Sequence, residues 1–408
     1  MILFIIGEAL WGFQAGLVGS ATVLSVMLQE CGASKTMIGA IGGIEAFGFL
    51  LPQLIGLFLF GTGKAQKRRI LWWHFVGIIP WLYVIGVLGM NVGHVRPRLL
   101  ALGILGCYGL FIMGIGVVAG VWMDWIGHLF PRSWRGRVMG ASWGASSAAG
   151  IIGSLVAGQV LRHFHSSSAY GWLFISAGCI AALSITTFWW VKEIDVGVTW
   201  EERRTNVGDV LRAAVMSLRH VGFRMFVVGR VMAAAGFSIV PLIAVYYVGS
   251  AGGNVTKSEL VSAGAMLGLG FAVGNVVGGY LGDRYGHRLG IVVGVITQLM
   301  TLVMLLTTQG VWSCAVVYGL AGTSQGLTNL AHSNLLFETC PHDRRLVHIT
   351  FGNIILGACV SPLPLVAGWV AQRHGMKVVM LLSIVCSVAA LLWLVSMVRE
   401  PRRQVAHE

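Results

Sequence analysis

Residues 108–158 read YGLFIMGIGVVAGVWMDWIGHLFPRSWRGRVMGASWGASSAAGIIGSLVAG, and residues 318–368 read YGLAGTSQGLTNLAHSNLLFETCPHDRRLVHITFGNIILGACVSPLPLVAG. Laid over each other at an offset of 210, they share a register without a gap. Tyr108-Gly109-Leu110 falls on Tyr318-Gly319-Leu320, Gly116 on Gly326, Pro131 on Pro341, Arg135 on Arg345, and Leu155-Val156-Ala157-Gly158 on Leu365-Val366-Ala367-Gly368. Near the start of each half the offset is 222, with Phe4 on Phe226 and Gly7 on Gly229. Any one match is within reach of chance in an apolar sequence. The common register and the matching Pro…Arg loops mark an internal duplication.

Outward from these stretches the chain is a succession of apolar runs, at about 2–28, 37–60, 70–90, 99–127, 138–161 and 171–191. After a polar segment, further runs fall at about 225–249, 259–282, 289–309, 311–337, 346–371 and 378–398. Each is long enough to cross a bilayer, which takes roughly 20 apolar residues. Of the 408 residues 56% are hydrophobic and only 11% charged, against about 25% charged in a soluble domain. The mean hydropathy is +0.80. The expectation is an all-α membrane protein of twelve transmembrane helices in two parallel six-helix repeats. Residues 1–191 form the first bundle, 192–222 a linker, 223–398 the second bundle and 399–408 a tail. No room is left for a soluble catalytic domain. Met1 opens directly into an apolar stretch too long and too poor in basic residues for a cleaved signal, so the native start is expected either here or upstream.

The net charge of +13 invites a nucleic-acid reading, and the placement of the charges argues against it. The connections after runs 2, 4, 8 and 10 read GTGKAQKRR, PRSWRGR, DRYGHR and PHDRR. With the polar segment 192–224 and the tail they hold 20 of the 28 Lys and Arg; the other side holds seven (Lys35, Arg96, Arg98, Arg162, Lys257, Arg373, Lys377), and Arg230 lies inside run 7. By the positive-inside rule both termini and the linker are expected in the cytoplasm of a bacterial cell, with the chain in the inner membrane. In the linker, Val207, Val210, Leu211, Ala214, Val215 and Leu218 recur at helical spacing beside basic residues. This suits either a helix on the membrane surface or a plain tether. The seven cysteines are scattered and form no metal or disulfide pattern; no metal or other cofactor is expected.

One loop is more specific. After run 8 the chain reads Gly279-Tyr-Leu-Gly-Asp283-Arg284-Tyr-Gly286-His-Arg288. This resembles the loop motif of the major facilitator superfamily, Gly-x-x-x-Asp-Arg-x-Gly-Arg-Arg. Glu338-x-x-Pro341-x-x-x-Arg345 after run 10 resembles its partner in sugar-porter-like members, and Pro131-Arg-Ser-Trp-Arg135-Gly136 is similar. The resemblance implies a cytoplasmic clasp made of Gly279, Asp283, Arg284, Gly286, Arg288, Glu338, Arg345 and Arg135. The first half departs from the motif: Gly56 is kept, but Phe60 stands where Asp283 stands and His128 where Glu338 stands. A complete second-half clasp and an eroded first-half one are expected. Members that export drugs against protons carry an arginine in helix 4 and a Gly-Pro pair in helix 5. Here Leu110 takes the arginine's place and run 5 has no proline, which counts against that subclass.

Ionisable groups inside a bilayer are costly and by default functional. Glu8, Glu45, Asp124 and Arg230 qualify. The offset of 222 makes Glu8 and Arg230 equivalent, on helices that line the central cavity in the family. They are expected either to pair across the pseudo-twofold axis or to snorkel separately. Glu45 is either a coupling-proton carrier or a structural acid hydrogen-bonded between helices. Asp124 either contacts a coupling ion or solute, or packs in the gate against Arg135. Run 10 is unusually polar, with Gln325, Asn329 and His332 at i, i+4, i+7 on one face. With Trp11 and Gln14 of run 1 these are the candidate solute contacts; the alternative is interhelical hydrogen bonding. Tyr246 and Tyr247 are weaker candidates.

No HExxH, Ser/His/Asp set or phosphate-binding Gly-Lys loop is present, so an enzyme is not expected. The leading expectation is a secondary transporter, monomeric in lipid, that moves a small solute by alternating access with proton coupling. The alternatives are an uncoupled facilitator or exchanger, and a non-transporting membrane sensor on the same fold.

Overall fold

The computed structural model describes the chain except residues 61–65, 93–95, 131, 165, 167, 193–207, 209–218, 220, 340–344, 399 and 401–408. Among the described residues every regular element is helical. In the first half these are α1 (Ile2–Leu17), α2 (Ser25–Glu30), α3 (Lys35–Leu50), α4 (Gln53–Phe60), α5 (Gln66–Trp73), α6 (Ile79–Met90), α7 (Pro97–Leu129), α8 (Arg132–His163) and α9 (Ser168–Trp189). In the second they are α10 (Val221–Phe237), α11 (Val240–Val248), α12 (Lys257–Tyr285), α13 (His287–Thr307), α14 (Gly310–Thr339), α15 (Arg345–Val360), α16 (Pro362–His374) and α17 (Met376–Ser396).

Several of these are pieces of longer rods. A π-helical segment, Ser20–Leu24, joins α1 to α2, and another, His74–Ile78, joins α5 to α6. Proline sits in the first turn of α6, α11 and α16, where its missing N–H has no helical partner to lose. Among the described residues ten stretches are long and apolar enough to cross a membrane. Two further helical stretches are not among them. The α3–α4 pair is interrupted at Leu51–Pro52, and α14 carries the polar run Thr323–Asn334. Large apolar side chains cover the surface, Trp312 at 86% exposure and Val276 at 75% among them. Such a surface needs lipid rather than water around it. The chain is a multi-pass membrane protein.

The described chain divides into two compact units. Unit 1 comprises Met1–Met37, Ile44–Thr205 and Lys257–Ala265; unit 2 comprises Ile38–Gly43, Asn206–Thr256 and Met266–Glu408. In unit 1, α1 packs along α8 and α9, and α6 along α9. The α1–α8 crossing is tight enough to put backbone on backbone: a Cβ on Gly12 would overlap the carbonyl of Ser146, and one on Gly16 that of Gly150. Lipid tails are as apolar as leucine, so close van der Waals approach between small residues supplies the helix–helix attraction. Ser184 adds a hydroxyl donated to the Gly7 carbonyl, 2.7 Å, from α9 to α1. At one end of unit 1, Lys257 forms an ion pair with Glu30, which also accepts from the Tyr170 hydroxyl, 3.2 Å.

In unit 2, α13 packs on α14 and α17, and α10 on α17. Its core gathers Phe223, Phe226, Ile291, Val295, Leu335 and Leu394. Inside it Gln298 donates to the Ala233 carbonyl, 3.0 Å, and to Ser387, 2.7 Å. Tyr247, a weaker solute candidate by sequence, is fully buried, with its hydroxyl 2.6 Å from Ser313. That position suits a structural tie between α11 and α14.

Candidate functional site

Each unit holds an ionisable side chain well inside its first long helix, Glu8 in one and Arg230 in the other, and the two have different company. In unit 1, Glu8 of α1 accepts a hydrogen bond from the indole of Trp122 on α7. Trp122 belongs to an aromatic group. Its ring lies 5.5 Å from His74 and 5.0 Å from Phe188, and the Trp11 ring lies 5.6 Å from His74, edge to face. His74 is buried and its Nδ1 is 2.8 Å from the Ile70 carbonyl. A carbonyl only accepts, so Nδ1 carries the proton and Nε2 presents its lone pair. His74 opens the π-helical segment, where the change of winding turns its ring toward Trp11 and Trp122. Such segments recur at functional sites. One helical turn or two further on, Gln14 is buried with Oε1 unpartnered among the described residues.

In unit 2, Arg230 of α10 lies close enough to His332 of α14 for their charges to interact. His332 stacks on Phe226, with ring centroids 5.6 Å apart and planes 17° apart, and its Nε2 is 3.3 Å from Asn353 Oδ1 on α15. The duplication relates the two clusters. At offset 222 Glu8 falls on Arg230 and Phe4 on Phe226; at offset 210 Trp122 falls on His332. The same three places thus hold a carboxylate, an indole donor and a phenyl ring in one half, and a guanidinium, an imidazole and a phenyl ring in the other.

Of the predicted stripe on α14, Gln325 is half-buried and Asn329 exposed. Only His332 has a side-chain hydrogen bond to another helix that the geometry defines. Glu45 of α3 accepts from the Tyr108 hydroxyl of α7, 2.7 Å, and from Ser20 in the first π-helical segment. It therefore joins three helical rods. Asp124 lies in α7, but its side chain, like those of Arg135, Glu338 and Arg345, falls outside the described residues, as does the predicted linker helix.

The loop between α12 and α13 shows what its motif does locally. Gly286 has φ +94°, and a Cβ there would overlap the carboxyl of Glu400, so both backbone and space require glycine. Glu400 is buried and accepts from the Arg288 backbone N–H, 2.9 Å, in the first turn of α13. The Arg288 side chain donates from Nε to the Leu394 carbonyl, 3.1 Å, and from its guanidinium to the Val395 carbonyl. A carboxylate at a helix start and a cation at a helix end each match the local dipole. Arg284 stays on its own helix, donating to Tyr280, 2.8 Å, and lying over the Tyr285 ring.

The first half, with Phe60 in the acid's place, has an equivalent contact. Lys67 at the start of α5 donates to the carbonyls of Trp189, 3.0 Å, and Val191, 2.6 Å, at the end of α9. This cation lies outside the comparison of acids in the two loops, and it closes a helix end in the first half as Arg288 does in the second.

His74, Trp122, Asn353, Lys67 and Glu400 were not picked out by sequence. Two signals pointed to them. Trp122 is the 210-offset partner of His332, and Val191-Lys192-Glu193 repeats as Val398-Arg399-Glu400.

A multi-pass helical protein, internally duplicated, with opposite charges at equivalent buried positions, has the form of a membrane carrier. The sequence profile of the Major Facilitator Superfamily matches residues 4–345 and 225–408. The chain belongs to that superfamily. Its fold is similar to a crystal structure of a variant of the nucleoside transporter NupG, with TM-score 0.73 and 13% identity over 97% of this chain and 100% of that one. It is also similar to a D-xylose-proton symporter, with TM-score 0.67 and 16% identity over 98% of each chain. A bacterial homolog of the human lysosomal transporter Spinster in an inward-facing conformation gives TM-score 0.63 and 13% identity over 98% and 97%. No curated protein matches the sequence.

Proposed function

We propose that this protein is a secondary active transporter, not an enzyme, which moves a small solute across the bacterial cytoplasmic membrane by alternating access, coupled to protons. It works as a monomer of twelve spans, the ten apolar ones together with α3–α4 and α14. The halves are 1–191 and 223–398, and both termini, the linker and the Arg288 clasp are cytoplasmic. The observation that carries the reading is the pair of equivalent clusters, Glu8–Trp122 and Arg230–His332. Charges are retained inside apolar helices only where a function uses them. The structural neighbours named above include a nucleoside transporter and a proton symporter, which supports transport of small polar solutes in general and selects none.

The solute contacts are Glu8, Trp11 and Gln14 in the first half and Arg230, Gln325, Asn329 and His332 in the second. Asp124 serves the gate, with Arg135, Glu338 and Arg345 in the cytoplasmic clasp. Glu45 is the coupling acid of the first half. Protonated, it can turn from accepting the Tyr108 and Ser20 hydroxyls to donating, and so loosen the joint of three rods. Proteoliposome uptake of a broad solute panel, with and without a pH gradient, tests the whole. Failure to move any solute would favour a sensor, and uptake indifferent to the gradient an uncoupled facilitator. In Glu45→Gln, loss of gradient-driven uptake with counterflow exchange preserved is expected; unchanged gradient-driven uptake would remove Glu45 from the coupling.

A further inference from the structure

Among the buried polar atoms of unit 2 that have no hydrogen-bond partner among the described residues, two belong to neighbouring groups: Nε of Arg230 and Nδ1 of His332. Each such orphan costs about 1–3 kcal/mol, so the pair marks a place for something else. The imidazole is held from two sides, by the Phe226 ring and by Asn353. Because Asn353 presents its carbonyl oxygen to Nε2, Nε2 carries the ring proton and Nδ1 faces outward as an acceptor. Arg230 offers only donors. The other elements packed at this level contribute apolar side chains: Ile291 and Val295 from α13, Leu394 from α17 and Ile355 from α15. Arg230 is therefore the charged group that faces His332 within the described part of the unit.

The missing ligand must supply an oxygen acceptor to the guanidinium and a proton to Nδ1. A water or an alcohol does this weakly. A carboxyl group does it fully, and arginine matches a carboxylate in geometry and charge. We propose that Arg230, His332 and Asn353 bind the carboxylate end of the transported solute, and that each carboxylate enters with one proton held on His332 Nδ1. The balance is simple. A carboxylate and one proton from water go in. The N–H bond formed at Nδ1 converts the imidazole to imidazolium, and release reverses both. The equivalent place in unit 1, with an indole in place of the imidazole, can donate but cannot take up a proton.

This inference rests on the transport reading for its purpose, but its test does not need transport. The purified full chain in detergent is titrated with acetate, benzoate and inorganic phosphate. Histidine ring nitrogens are followed by magnetic resonance, and His332 is assigned by its loss in His332→Gln. Acetate and benzoate are expected to move the His332 signals to the imidazolium pattern and to withdraw one proton per acid bound from weakly buffered solution. Their apparent affinity should fall about tenfold for each pH unit above neutrality. Arg230→Gln should abolish the response, and His332→Gln should flatten the pH dependence. The proposal is overturned if the His332 signals stay unmoved by both acids, if they bind without proton uptake, if only phosphate binds, or if Arg230→Gln responds like the wild type. The proton count in the wild-type protein stands even where a variant fails to fold. A positive count without uptake in proteoliposomes would sink transport and leave the site.

Discussion

The Glu8 cluster and the Arg230 cluster occupy equivalent places in a duplicated chain, yet they have diverged in chemistry rather than in position. The first satisfies its carboxylate with the indole N–H of Trp122, whose ring lies against His74, itself edge to face with Trp11. The second leaves a guanidinium nitrogen and an imidazole nitrogen unmatched. Duplication preserves where a side chain points, because that follows from helix register and packing. It leaves free what the side chain does, because one substitution changes charge or donor count. The cluster whose carboxylate already accepts from Trp122 is suited to holding shape, and the cluster with unpaired atoms on its charged group to taking a ligand.

The most severe way to break this comparison is to exchange its charges. Glu8→Arg combined with Arg230→Glu is expected to be as inactive in proteoliposome uptake as either single variant, because each charge answers to its own neighbours, Trp122 and His332. Recovered uptake would show instead that the two charges pair. Next in size is the backbone contact that positions Glu8. Gly16→Ala places a methyl on the Gly150 carbonyl and should destabilise unit 1 by about 1–3 kcal/mol. Gly144→Ala on α8, where nothing lies within 4 Å, should leave the melting temperature unchanged. Equal melting of the two would mean that α1 and α8 do not cross this closely. Trp122→Phe keeps the ring and removes the donor. A hydrogen bond to a charged group contributes about 1.5–3 kcal/mol, so uptake should drop roughly tenfold or more. The smallest expected change is Glu400→Gln, a loss of about 0.3–1 kcal/mol as the charge at the α13 start is removed. It should be read as a melting shift that high salt reduces. A shift larger than that of Gly16→Ala would overturn this order.

Much of this was legible in the sequence for physical reasons. Burial in lipid demands long apolar runs, so an ionisable residue such as Glu8, Glu45 or Arg230 stands out against its background. The duplication survives in glycines because close helix approach tolerates nothing larger. His332 was visible for the same reason, as part of a polar face. Trp122 and His74 were not, since an aromatic residue inside an apolar run has no contrast with it. Asn353 lies about two turns into α15, and only its place opposite His332 distinguishes it. The rewinding at Ser20–Leu24 and His74–Ile78 left no mark in the sequence because it changes which face a residue occupies without changing residue type. The clasp was half-read. Comparing acids at Phe60 and Asp283 missed that the cations, Lys67 and Arg288, reach carbonyl oxygens, whose identity does not depend on sequence at all.

The buried carboxylate of Glu400 moves the working boundary of the second half. By hydropathy the last helix ends the fold near residue 398, and everything after it reads as tail. Yet a residue beyond that point closes the Gly286 turn and caps α13, with four helices, α14 to α17, between the two in sequence. Anyone fusing a reporter or trimming the C terminus should therefore cut after residue 400 rather than at the end of the apolar run. A fusion made at 398 would leave the first turn of α13 without its anion, and an inactive or poorly expressed protein from such a fusion would say nothing about the transport cycle.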